Sequence, residues 1–243
     1  MHFHLPKPLH GWREFIGEVG IIVVGVLIAL GAEQVVEGVH DRREAHKALA
    51  AVHAELAHSA GVFDERAVVQ QCLDRRLKQV DAVVRMARRT GHLPDIGEIG
   101  RPPIRPIQSS AWSSAVSTDI VSNFGDQQRD ALSMIYSQAS TYYEDVVAEQ
   151  EMWATLKLLE HAPGPIDGAL LAEIARTQAR LQFRTFLNGV DAAQLLDAIR
   201  ADGVRPDYFI VNDLPSQGRD VMLATAHKRT VCGPLLVDGK PAA

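Results

Sequence analysis

The spacings in this chain that come nearest to metal chemistry are two Glu-x-x-His pairs, Glu37 with His40 and Glu55 with His58. In dimetal helical bundles such pairs come from different helices and converge on one centre. Here both fall on one helical segment, with the two histidines about 27 Å apart along its axis, so they cannot share a site unless the chain folds back. His46 and His53 share a helix face, but the residues between them, Leu49 and Ala50, offer no third ligand, and no His-Glu-x-x-His occurs. These histidines read as solvated helix-face residues. His2 and His4 offer a transition metal no more than any terminal histidine pair does. No metal and no cofactor is expected.

Nucleophilic chemistry has equally little support. Ser109, Ser110, Ser113, Ser114 and Ser117 surround Trp112 without a Gly-x-Ser-x-Gly elbow, and they alternate with apolar residues as the wet side of a helix does. Neither a Walker-type loop nor Gly-x-Gly-x-x-Gly is present. Arg75, Arg76, Lys78, Arg85, Arg88 and Arg89 form a basic run interleaved with Asp74 and Asp81, the pattern of a solvated helix face. Acidic lipid headgroups or a polyanion are the alternative contact for that run. Tyr136, Tyr142, Tyr143 and Trp153 recur at helical spacing, as core and rim residues do; a binding cleft is the sharper alternative. An enzyme is not expected.

The chain has two cysteines, Cys72 and Cys232. An even pair suits one disulfide if the domain lies outside the cytoplasm, and two unrelated buried thiols otherwise. Such a bond would tie the C-terminal segment to the first long helix. The net charge of −5 argues against nucleic acid as a partner, since nucleic acid selects a concentrated basic surface.

The element that organises everything else is apolar. Val19 to Ala32 carries no charge and is rich in Val, Ile and Leu, with Glu18 and Glu33 as brackets. Fourteen residues of helix reach about 21 Å, short of the roughly 30 Å hydrocarbon core. The window 15–36 is long enough to span if the two acids sit at the headgroups, where their cost is lower. Trp12 stands where an interfacial aromatic is expected. A signal-peptide core suits the length, but Glu14 and Glu18 precede it and no convincing Ala-x-Ala cleavage site follows. A buried soluble helix is the remaining alternative.

Glu18, Gly25, Ala29 and Ala32 fall on one face of the span. Gly25-x-x-x-Ala29 is a small-x-x-x-small pair, the kind that lets two membrane helices approach closely. The expected partners are therefore the lipid bilayer and either a second copy or another membrane or envelope protein. Basic residues flank the span almost evenly, so the positive-inside rule barely votes on orientation. A short tail before a large domain suits a signal-anchor in the inner (cytoplasmic) membrane, with the C-terminal domain in the periplasm.

The remaining sequence predicts an all-α protein. Residues 1–14, with Pro6 and Pro8, read as an irregular tail. The transmembrane helix at 15–36 continues into a long helical segment over 37–90, with a kink or break near 59–61 at Ser59-Ala60-Gly61. Residues 91–108 are a Pro/Gly-rich linker that crosses the end of the bundle or is mobile. An α-helical bundle follows over 109–232 and is completed by 37–90. Within it, Asp126 and Asp167 are expected to cap helices, Asn188-Gly189 to stop one, and Asp191 to cap the next. Tyr208 to Val211 reads as a strand or an extended plug, Ser216 caps a last helix to about His227, and residues 233–243 read as a disordered tail.

Three stretches together carry a resemblance: Leu9 to Gln34 (LHGWREFIGEVGIIVVGVLIALGAEQ), Cys72-Leu-Asp-Arg-Arg-Leu77, and the Ser110-Ala-Trp112 helix with Tyr136 downstream. The chain resembles uncharacterised bacterial single-pass membrane proteins, grouped among domains of unknown function. The likeness is close over residues 9–37 and looser beyond. It departs at Val116 to Ile120, where similar proteins carry a Ser-Gly pair. The resemblance implies a membrane anchor and a helical extramembrane domain, and no activity. The expected function is a structural or protein-interaction role at the cell envelope, with a membrane-tethered small-ligand sensor as the alternative.

Overall fold

The structure is a computed structural model and describes residues 11–209 and 218–242. Most of the expected tail at 1–14, the apolar Ile210 and Val211, and the expected cap Ser216 lie outside those residues. The fold is all-α: one long N-terminal apolar helix continues into a helical body, with two short strand pairs beside it among the described residues.

Helix α1 runs from Trp12 to Thr90 without interruption, 79 residues or about 120 Å. No proline falls within it, and Ala, Glu, Arg, Leu and Gln dominate its second half, all good helix formers. It stops at Gly91, whose left-handed φ of 68° lets its N–H reach the Ala87 carbonyl. The expected kink or break at 59–61 is absent. Ser59 turns its hydroxyl back to the Glu55 carbonyl at 3.3 Å and stays within the helix. Gly61 serves a packing purpose: a Cβ there would collide with the Asp207 carbonyl oxygen, so its bareness lets the 203–208 segment cross α1.

Four further helices surround the second half of α1 among the described residues: α2 (Ser110–Ser117), α3 (Asp126–Leu156), α4 (Gly168–Ala201) and α5 (Arg219–His227). Asp167 caps α4 by accepting from the Ala169 and Leu170 N–H groups, at 3.0 and 3.1 Å. Helix α4 does not stop at Asn188-Gly189 and restart at Asp191; it passes straight through. Asn188 is fully buried and Gly189 packs against the Gln70 side chain, so this pair is where α4 presses on its neighbours.

The Pro/Gly-rich segment is part of the body. Its strand β1 (His92–Leu93) pairs antiparallel with β2 (Gly164–Pro165), and Ile96 and Ile99 are buried. The C-terminal residues, expected to be disordered, are ordered through 242. Strand β3 (Leu236–Val237) pairs with β4 (Lys240–Pro241), Val237 bridges to Ile96, and Leu235 is fully buried. A short apolar stretch with a turn at Asp238-Gly239 has a ready surface to close on, and that decides its order.

The core forms two continuous clusters along α1. One gathers Leu56, Phe63, Leu132, Tyr142 and Leu195; the other gathers Leu73, Trp153, Leu156, Ile174 and Leu181. Both lie beyond residue 44. Residues 15–40 of the same helix are exposed on every side, including Ile21, Leu27 and Ile28 at 62–76%. The most apolar 18-residue window there has a mean hydropathy of 2.4 and none of it is buried, so this segment is long and apolar enough to cross a membrane.

Candidate functional site

Residues 59–66 of α1 are buried without a gap, which an amphipathic surface helix never shows. The helix is enclosed there, so Asp64, Glu65 and Arg66, spaced about 100° apart around the axis, each need a buried partner. Each has one, on a different neighbour. Asp64 accepts from the Tyr208 hydroxyl at 2.7 Å and from Arg219 Nε and Nη2 at 2.7 and 3.2 Å. Glu65 receives Arg105 at 3.2 Å and Arg229. Arg66 forms a two-pronged pair with Glu149 of α3, at 2.8 and 3.1 Å, and donates to the Thr185 carbonyl at 3.0 Å.

Glu149 is fully buried and also accepts from Thr185 Oγ1 at 2.6 Å and Asn188 Nδ2 at 2.9 Å. Its negative charge is thereby met by one cation and two neutral donors. Burial would raise the Asp64 pKa, but the hydrogen bonds from Arg219 and Tyr208 outweigh it and hold the carboxyl below its ordinary value. Tyr208 responds in kind: burial, then the Asp64 contact, pushes its phenol up to about 12.

Two more charges complete the enclosure. Glu55 sits over the start of α2 and accepts from Ser110 Oγ, the Ala111 N–H and the Tyr136 hydroxyl at 3.0, 2.9 and 2.7 Å. Trp112 stacks flat on Tyr136, ring centres 5.2 Å apart. Arg76, expected on a solvated basic face, is fully buried instead. Its guanidinium donates to four carbonyls, Glu98, Ile99, Thr230 and Gly233, at 2.7–3.0 Å. Burial without a paired carboxylate pushes its pKa down to about 10. One turn earlier, Cys72 is disulfide-bonded to Cys232 across 160 residues, with Cα atoms 4.8 Å apart. Arg75 donates to the Cys232 carbonyl at 3.0 Å. The disulfide and Arg76 together clasp the linker and the C-terminal segment onto α1.

The sequence-picked metal candidates do not converge. Glu55 faces α2, while His58 approaches Asp207 at 3.1 Å and His53 approaches Asp202 at 3.0 Å. Glu37 and His40 lie on the exposed part of α1, and no group of three or more metal-ligating side chains occurs among the described residues. Glu18, Gly25, Ala29 and Ala32 are all exposed on α1, and a Cβ at Gly25 would meet open space. The serines around Trp112 mostly line an exposed helix side, with Ser110 engaged by Glu55.

The tyrosine helix does border a cleft. Between α3 and α4, Ser137, Gln138, Thr141, Tyr142, Asp191 and Gln194 line a cavity of about 170 Å³, with Leu195 as its apolar wall. Trp112 and Trp153 lie elsewhere: Trp112 on Tyr136, Trp153 fully buried in the second core cluster.

Sequence reasoning missed the enclosed charges, although a signal existed. Glu149 falls in phase with Tyr142, Val146 and Trp153 on the apolar stripe of α3. Asn188 is in phase with Leu181 and Leu195 on α4, and Asp64-Glu65-Arg66 directly follows Val62 and Phe63. A charge in phase with core residues signals a buried partner. Comparison with protein-family models, with curated proteins and with solved structures gives no significant match.

Proposed function

We propose that this chain is a single-pass protein of the inner (cytoplasmic) membrane, anchored by residues 15–36. Its helical body lies in the periplasm and plays a structural or protein-interaction role at the cell envelope. The observation that carries this reading is the division of α1: about thirty residues with nothing to pack on lead directly into a fully enclosed helix. Exposed apolar surface on that scale belongs in lipid or against a partner. The Cys72–Cys232 disulfide supports the periplasmic side, since such bonds persist outside the reducing cytoplasm. The resemblance of residues 9–37 to uncharacterised bacterial single-pass proteins supports the anchor.

Fusing alkaline phosphatase or a fluorescent protein after the last residue tests the orientation. The reading expects phosphatase activity and no fluorescence; the reverse pattern overturns the periplasmic placement. Crosslinking in membranes followed by mass spectrometry then tests the interaction role, and a body crosslinked to nothing, itself included, contradicts it. A membrane-tethered ligand-binding domain is the second reading, favoured by the polar cleft between α3 and α4.

A further inference from the structure

The Tyr142 side chain is 5% exposed, packs edge-on against Phe63 at 5.2 Å, and lines the cleft between α3 and α4. Its phenol oxygen makes no hydrogen bond with any described residue. The oxygen is not shut away from solvent: it opens onto the cleft, where it is free to donate to whatever occupies it. The other three tyrosines differ: Tyr136 donates to Glu55 and Tyr208 to Asp64, whereas Tyr143 stays at the surface.

Beside Tyr142, Asp191 is half-buried and belongs to no ion pair among the described residues. The four carboxylates that the body buries, Glu55, Asp64, Glu65 and Glu149, are matched by donors, whereas Asp191 stands partly open to the cleft. Burial pushes the Tyr142 phenol pKa up; of the nearby charges Asp191 contributes least, after Arg66, which opposes the shift, and Glu149 and Glu65, which add to it. Around the pair stand the Ser137 and Thr141 hydroxyls and the Gln138 and Gln194 amides. Of these only Thr141 is engaged, with its own helix at 3.3 Å.

We propose that this cleft is a binding site for a small hydroxylated molecule carrying a protonated amine. The inference rests on the second reading above, a ligand-binding body, and names its site and ligand class. The one formal charge in the lining is the unpaired Asp191 carboxylate, so the cleft repels anions and supplies a counter-ion for an ammonium group. The hydroxyls and amides both donate and accept, which suits vicinal hydroxyl groups. The volume of about 170 Å³ limits the ligand to monosaccharide size, below the ~300 Å³ of drug-sized sites.

The test titrates the full chain, reconstituted in nanodiscs, with glucamine, an open-chain polyol ending in a primary amine, and with sorbitol, its neutral analogue. Calorimetry is expected to show one glucamine per chain, bound at least about tenfold more tightly than sorbitol, as a charge-assisted contact provides. Asp191→Asn is expected to remove that preference by lowering glucamine binding to about the level of sorbitol. Tyr142→Phe is expected to weaken both ligands several-fold. Gln194→Ala, at an exposed position on the rim, serves as a second variant that leaves the core untouched and is expected to weaken both. Absence of glucamine binding at millimolar concentration overturns the proposal. So does sorbitol bound as tightly as glucamine, or an Asp191→Asn variant that keeps the preference. None of these outcomes bears on the reporter fusions, so failure of this site and failure of the membrane placement are read separately.

Discussion

The two halves of α1 solve opposite problems with the same backbone. Residues 19–32 are apolar and exposed all round; residues 59–66 include three consecutive charged residues and are buried all round. In the first half, side chains find their medium outside the protein, and the helix needs only to be uniformly apolar. In the second half the medium is the protein itself, and each charge must be met individually. Asp64, Glu65 and Arg66 meet α5, the linker and α3, so three neighbours are indexed to one turn of one helix. Burial alone therefore says little about which residues a helix carries; what surrounds it decides.

The sharpest break of this contrast is to make the first half resemble the second. Val24→Arg combined with Leu27→Arg places two unpaired charges mid-span, at a cost of about 3 kcal/mol each. The variant is expected to leave the membrane pellet and aggregate or be degraded, whereas Arg substitutions at Glu18 and Glu33 should be tolerated. Fractionation followed by immunoblotting measures both.

Breaking the second half comes next. Arg66→Ala leaves Glu149 buried with a charge and no cation, which is expected to cost about 3–5 kcal/mol in denaturant unfolding. Replacing the pair together, Arg66→Met with Glu149→Leu, is expected to recover most of that loss. If the double variant is no better than the single one, the network does more than satisfy itself.

Gly61→Ala probes the crossing of the 203–208 segment over α1. On propensity alone alanine should strengthen a helix by about 1 kcal/mol. Here its Cβ meets the Asp207 carbonyl oxygen, so a net loss of about 1–3 kcal/mol is expected. Gly38→Ala, with open space around it, should be neutral or stabilising, and the difference between the two variants isolates the contact.

The smallest effect concerns pH. Asp64 has a folded pKa below its ordinary value, so the folded state binds that proton less readily than the unfolded chain. Its contribution is complete above the unfolded pKa of about 3.9 and is lost as pH falls through the lower folded value. Urea midpoints measured from pH 6 to 3 should fall less steeply in Arg219→Ala than in the parent protein.

Particular residues show what the sequence made legible. The apolar span and the Asp167 cap were readable, because hydropathy and capping are local signals, whereas Asp126, expected as a cap, is the first residue of α3 after Gly125 and caps nothing. Gly61 and Asn188-Gly189 read as breaks, since a glycine that loosens a helix and one that admits a neighbour look identical in one dimension. The C-terminal hairpin was illegible for a related reason: Leu235 is ordered by a surface assembled from residues far away in sequence. The cleft was legible only as a tyrosine on α3; Asp191, which completes it, comes from α4 and read as a cap.

The central claim is that one unbroken helix serves as membrane anchor and as the core of the body. Nitroxide labels placed singly from residue 15 to residue 70 in liposomes test it directly, with the native cysteines held in their disulfide. The account predicts lipid-level oxygen accessibility at every position of 19–32. It predicts a 3.6-residue burial rhythm starting near residue 45, complete immobilisation over 59–66, and no mobile position between. A water-accessible, mobile break anywhere from 37 to 61, or residues 19–32 immobilised by protein contacts within a single chain, would contradict it.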